Sequence, residues 1–231
     1  MASPEANRSS EPCRLIVVGG HTRSIGKTQL VCDLIAALQS ANWLAGKITQ
    51  YGHGVCATSG HDCDCAPSEH IVALDWESEA RTGTDSARFL QSGAARSFWL
   101  RTKQGYLAEG MPALREALTQ AQKASVNDGI NVIVESNSLL QFVKPSLYVA
   151  VLDAKRDDFK DSARQMLDRA DVFVFRRGLH DGDIHKPPWI ELPTHLLRQK
   201  PSLLQREGQP LPEPLFQLVK GILEAPATVL L

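Results

Sequence analysis

Residues 14–38, RLIVVGGHTRSIGKTQLVCDLIAAL, constrain the fold more than any other stretch of this chain. Arg14 to Val18 are a short β-branched run that reads as a buried strand. Leu30, Leu34, Ile35 and Leu38 then recur at the spacing of one helical face, so the hydrophobic period changes across the loop between them. That loop closes on Gly26-Lys27-Thr28, and the helix starts on the triplet. A strand, a glycine-bearing turn and a helix in this order form a phosphate-binding loop. The first N–H groups of the helix have no intrahelical partner, and with the loop amides and the positive end of the helix dipole they suit a polyphosphate. The expected cradle is Gly20, Arg23, Ser24, Ile25, Gly26, Lys27, Thr28 and Gln29. Within it Lys27 reaches the β and γ phosphates of ATP or GTP, and the Thr28 hydroxyl ligates Mg²⁺.

The spacing departs from the usual Gly, four residues, Gly-Lys-Ser/Thr. His21 stands where the first glycine belongs, and counting from Gly20 gives five intervening residues. This longer loop resembles that of dethiobiotin synthetases. They belong to the SIMIBI branch of phosphate-loop NTPases, which also holds molybdopterin-guanine dinucleotide biosynthesis protein B and the nickel-insertion GTPases. A Gly-Lys-Thr helix start without a ligand is the plain alternative; the strand before it and the amphipathic helix after it weigh against that.

At 231 residues the chain is long enough for one large α/β core. A net charge of −1 argues against a surface that coats nucleic acid, which needs clustered excess Lys and Arg. No apolar run approaches the roughly 20 residues that span a bilayer, so no membrane partner is expected. The first twelve residues, MASPEANRSSEP, read as a disordered leader without the apolar core of a secretion signal. Residues 13–231 are expected to form a single domain in a cytoplasmic protein.

Residues 51–70, YGHGVCATSGHDCDCAPSEH, break the α/β rhythm as an insertion without a hydrophobic period. Cys56, Cys63 and Cys65 fall here beside His53, His61 and His70. Tetrahedral Zn²⁺ takes four N or S donors, and Cys56, Cys63 and Cys65 with His53 or His61 would supply them. The Cys-x-Cys spacing is not that of a zinc finger, so a surface loop with clustered thiols stands as the other reading. Cys13 and Cys32 are taken as ordinary.

Strands are expected over Trp43 to Gln50, through IVALDWESE, over Ala95 to Leu100, at INVIVESN, at LYVAVLD and at DVFVFRRG. A short helix capped by Thr84 or Asp85, a helix from Met111 to Ala124, another over residues 159–170 with Lys160 and Arg164 on its outer face, and a last one over 214–225 complete the pattern. A final strand is expected around Trp189 to Leu192. The result is a three-layer α/β sandwich whose mostly parallel sheet has about seven strands, with ligands at the carboxyl ends of the strands. Two acids compete there for the metal-side role, Asp75 and Glu135, and Glu135, closing a continuous apolar strand, is preferred.

Further resemblances refine this. Thr84-Asp85-Ser86-Ala87-Arg88, then Ser92-Gly93-Ala94-Ala95, resembles the Lys-Asp-Ser…Ala-Gly-Ala segment of molybdopterin-guanine dinucleotide protein B. The order of phosphate loop, lysine strand, histidine loop, Asp-Ser helix and Val-Glu strand runs through residues 15–137. The resemblance implies that Lys47 and Asp85 face the active site, with Lys27, Glu135 and Asp85 the catalytic set. Glu135, Ser136, Phe142, Pro145, Leu147 and Asp153 hold places similar to those of the nickel-insertion GTPases. In those proteins a later strand ends in Asn-Lys-x-Asp, which reads guanine; here Arg176-Arg177 replace Asn-Lys, so that means of reading the base is lost. The resemblances imply an accessory NTPase of cofactor biosynthesis, a metal-handling NTPase, or an ATP-dependent ligase or kinase, working with a small molecule or a protein partner and often as a homodimer.

Overall fold

The central strand is built from residues that bury both of its faces. In β1 (Cys13–Gly20), Leu15 and Val17 point into one hydrophobic cluster and Ile16 and Val18 into another, all with no exposed surface. A strand covered on both sides must lie inside a parallel sheet with helices on each face. The computed structural model has that arrangement. It describes residues 12–51, 71–80, 83–124, 130–154, 156, 158–176 and 194–229.

Beside β1 the sheet contains β2 (Leu44–Tyr51), β3 (Val72–Trp76), β4 (Arg96–Lys103), β5 (Ile130–Glu135), β6 (Leu147–Leu152), β7 (Val172–Phe175) and β8 (Ser202–Leu204). Their order is β3-β4-β2-β5-β1-β6-β7-β8, and only the β3–β4 pair is antiparallel. On one face lies α3 (Leu107–Ala124), whose Leu107, Met111, Leu114 and Leu118 join the cluster that holds Val17. On the other lie α1 (Lys27–Ala37) and, among the later helices, α6 (Glu213–Glu224), through Leu30, Leu34, Leu215 and Val219. This is an α/β three-layer sandwich with the phosphate-loop NTPase fold, β1 at its centre between β5 and β6.

Several expectations shift. The third helix begins at Leu107, a turn before Met111, and runs through Pro112. Proline gives up one helical hydrogen bond there, while the buried face that starts at Leu107 holds the extra turn in place. Residues 159–170 are not one helix: α4 (Asp161–Arg164) gives way to a 3₁₀ turn at Leu167–Arg169. The Arg169 guanidinium donates to the carbonyls of Leu140 and Val143, tying that turn to the neighbouring loop. Trp189 to Leu192 lie outside the described residues. An eighth strand, β8, follows α5 (Thr194–Gln199), a helix that was not anticipated. Val229 joins the core beside β1, where it and Cys13 exchange backbone hydrogen bonds of 2.9 and 3.1 Å.

Gly46 of β2 is required by packing. It pairs with Phe98 of β4, and a Cβ at position 46 would lie 2.2 Å from the Phe98 ring. The cross-strand ring fills the space a side chain would occupy. No helix among the described residues is long and apolar enough to cross a membrane.

Candidate functional site

Parallel order brings the ends of β1, β2 and β5 and the start of α1 to one edge of the sheet, where ligands collect in folds of this kind. A cleft of about 1390 Å³ opens there. Thr22 to Gln29 line its floor, Lys47 to Tyr51 and Asp85 one wall, and Lys160 and Arg176 the other. The residues of the loop, Lys47, Asp85 and Glu135 are thus brought together. Gly20 sits just beneath them.

The loop's shape follows from its glycines and its supports. Gly26 has φ 86°, in the left-handed region where glycine carries no penalty. Ser24, at φ 52°, adopts that conformation without being glycine. A Cβ on Gly20 would lie 2.8 Å from Ile25 Cδ1, 2.9 Å from the Val151 carbonyl oxygen and 3.0 Å from Lys27 Cδ, so Gly20 performs the close-approach role. His21 is buried against Phe159, its ring centroid 5.2 Å away. Burial holds its imidazole below the ordinary histidine range, with Asp158 pulling the other way.

Asn137, which the sequence reading missed, fixes the end of β1. Its side-chain Oδ1 accepts from the Gly20 N–H and its Nδ2 donates to the Gly20 carbonyl, each at 2.8 Å. It can do so because Gly19 has no side chain: a Cβ there would sit 2.2 Å from Asn137 Oδ1. One residue two places past Glu135 thus couples the β5 end to the loop.

Over the loop, the Lys27 ammonium donates to the Thr22 carbonyl at 2.6 Å. Burial lowers its pKa while Glu135 opposes that fall. The Thr28 hydroxyl donates to Glu135 Oε2 at 2.6 Å. Lys47 lies 3.4 Å from Glu135 Oε1 and is paired with Asp85. Burial works against the Lys47 charge, but the two carboxylates overcome it and hold the ammonium above its usual pKa. Thr84 caps α2 (Asp85–Gln91), its Oγ1 accepting from Ala87 N at 3.1 Å, which settles Asp85 as the first helical residue.

A hydroxyl and a carboxylate oxygen in contact are the protein half of a Mg²⁺ site, since that ion keeps phosphate oxygens and waters as its other ligands. Thr28 and Glu135 therefore fit the group. Asp75 does not take part: it is exposed on β3 and paired with Arg101. Because β3 runs antiparallel, the end that carries Asp75 points away from the carboxyl ends of the other strands. Among the described residues no cluster of three or more His, Cys, Asp or Glu could hold a metal. Cys56, Cys63, Cys65, His53 and His61 lie outside the described residues.

Arg176 follows the last residue of β7. It is buried, donates to Gln205 Oε1 at 2.6 Å, and packs on the loop so closely that a Cβ on Gly26 would meet its Nε at 2.6 Å. Gln205 donates to Asp33 at 2.8 Å, Gln29 donates to the other Asp33 oxygen at 2.8 Å, and Arg88 donates to Gln29 at 2.7 Å. A hydrogen-bonded chain from α2 across α1 to β8 therefore braces the loop from behind. Its sequence trace is slight: Gln29 and Asp33 are one helical turn apart, and Gln205 is distant. Lys160, expected on an outer helix face, instead lines the cleft.

No protein-family model matches the chain, and no curated protein does. Among solved structures it is similar to HypB from Helicobacter pylori in complex with nickel, at 10% identity and a TM-score of 0.44, over 90% of this chain and 83% of that one.

Proposed function

We propose that this chain binds a nucleoside triphosphate with Mg²⁺ and acts as an NTPase. The observation that carries the reading is the contact of Thr28 with Glu135 at 2.6 Å, directly above a glycine-bearing loop that opens into the cleft. The amides from Arg23 to Thr28 cradle the phosphates and Lys27 neutralises charge on the β and γ groups. Thr28 and Glu135 would hold Mg²⁺, which supplies charge neutralisation when bound. Lys47 holds Asp85 and Glu135 in place through its ion pairs with both, and Asp85 stands as the carboxylate that can orient or accept a proton from an attacking hydroxyl or water.

The base is ATP's or GTP's. The tie of Arg176 to Gln205 and Asp33 supports a brace at this position, where the resembling GTPases begin their guanine-reading motif. The finer role we assign is an accessory function in cofactor biosynthesis, on the resemblance to molybdopterin-guanine dinucleotide protein B. A second reading, transfer of the γ-phosphoryl group to a small carboxylate or alcohol, is favoured by the size of the cleft. At about 1390 Å³ it exceeds the roughly 300–1,000 Å³ of a typical ligand pocket and leaves room for a second substrate beside the nucleotide.

A thermal-shift panel of ATP, GTP, ADP and GDP, with Mg²⁺ and with EDTA, tests the proposal, since a ligand bound only by the folded state raises Tm by mass action. We expect a Mg²⁺-dependent rise with at least one triphosphate. Lys27→Ala should abolish it, and Glu135→Gln should remove its Mg²⁺ dependence. No shift with any of the four would refute the reading.

A further inference from the structure

A second lysine faces the cleft from outside the loop motif. Lys160 immediately precedes α4, on a segment fastened to the loop at three points. The Thr22 hydroxyl donates to Asp158, the His21 and Phe159 rings are in contact, and the Lys160 backbone N–H donates to the His21 carbonyl at 2.9 Å. The segment is therefore carried by the loop's first arm. The Lys160 side chain lines the cleft, in the field of Arg23, Lys27 and Lys47, with Asp158 as the opposing charge. Partial burial and repulsion from those three cations bring its pKa down to about 8. Cations held together in one cleft are relieved by a polyanion.

The arrangement also says which phosphate would meet it. Lys27, the residue that reaches the β and γ phosphates, has its ammonium on the Thr22 carbonyl at 2.6 Å. Lys160 is hung from the adjacent residue, His21.

We propose that Lys160 is a further phosphate-contacting residue, one that donates to the terminal phosphoryl group of a bound nucleoside triphosphate and so separates triphosphates from diphosphates. The proposal rests on the nucleotide reading above and adds to it a residue that the loop motif does not contain. Because the segment is zipped to the loop, the contact requires no partner chain to complete it.

Isothermal titration of wild type, Lys160→Ala and Lys160→Arg with Mg-ATP, Mg-GTP, Mg-ADP and Mg-GDP tests it at pH 7. Lys160→Ala should weaken the preferred triphosphate about tenfold, equivalent to ~1.4 kcal/mol, and change the matching diphosphate by less than about twofold. Lys160→Arg should restore most of the loss, since it keeps the charge and the donors. Equal weakening of triphosphate and diphosphate, or no weakening, overturns the assignment of Lys160 while leaving the nucleotide reading intact. Failure of the wild type to bind any of the four overturns both.

Discussion

Replacing Gly19 by alanine probes the joint between the fold and the site. Gly19 lies in β1 with no positive φ, so alanine meets no backbone penalty there and its effect is steric. The added Cβ would fall 2.2 Å from Asn137 Oδ1 and 2.9 Å from the Tyr148 ring, and the Asn137 side chain must leave. Two hydrogen bonds to Gly20 go with it. Each is worth about 0.5–1.5 kcal/mol net, and overpacking a filled site costs about 1–3 kcal/mol. These overlap, because moving Asn137 relieves part of the clash, so the expected loss is about 2–4 kcal/mol. In a chain of this size that lowers Tm by roughly 4–16 °C. Urea denaturation at constant m value measures it. The decisive comparison is with Asn137→Ala and the double variant. Once Asn137 is truncated, adding Gly19→Ala should cost about half as much or less, since only the edge of Tyr148 remains in the way. Additivity within about 0.5 kcal/mol, the behaviour of independent sites, would show that Asn137 does not occupy the space below Gly19 and would refute the coupling.

Two further outcomes are expected. Burial keeps His21 neutral in the folded chain, while the unfolded chain takes up a proton as pH falls through 6.5. Stability should therefore decline from about pH 6.5 towards the lowered folded value. His21→Gln should make that decline shallower by up to about one proton in the slope; equal slopes in urea titrations across pH would contradict it. Equilibrium dialysis against Zn²⁺ and Ni²⁺ tests the Cys/His segment: bound metal should be lost in Cys63→Ala and Cys65→Ala, and retention by both variants would count against those ligands.

The parts of this site that were legible in the sequence are those whose physics is local. The strand of Arg14 to Val18, the Gly-Lys-Thr turn and the helical stripe from Leu30 to Leu38 announce themselves because period and turn chemistry are written within a few residues of one another. Glu135 was legible for a related reason: an apolar run that ends in a carboxylate reads as a buried parallel strand carrying an acid at its ligand end. Asp85 and Lys47 needed resemblance, because neither position has a local signature. Asn137, Gln205 and Lys160 had no such trace. Asn137 is 117 residues from its partner Gly20, and Gln205 lies 172 residues from Asp33. Lys160 shared a charged helical pattern with Arg164, and periodicity assigned it to solvent because periodicity supposes a continuous helix. The helix begins only after Lys160, at Asp161. Lys160 is therefore the N-cap of that helix, in extended conformation with φ −71° and ψ 139°, and the face that the helical wheel assigned to it does not exist. Its backbone is held by the hydrogen bond to His21, which is itself out of place by the usual motif. The extra residue in the loop and the lysine at its rim are thus linked: the longer arm supplies the carbonyl from which Lys160 hangs.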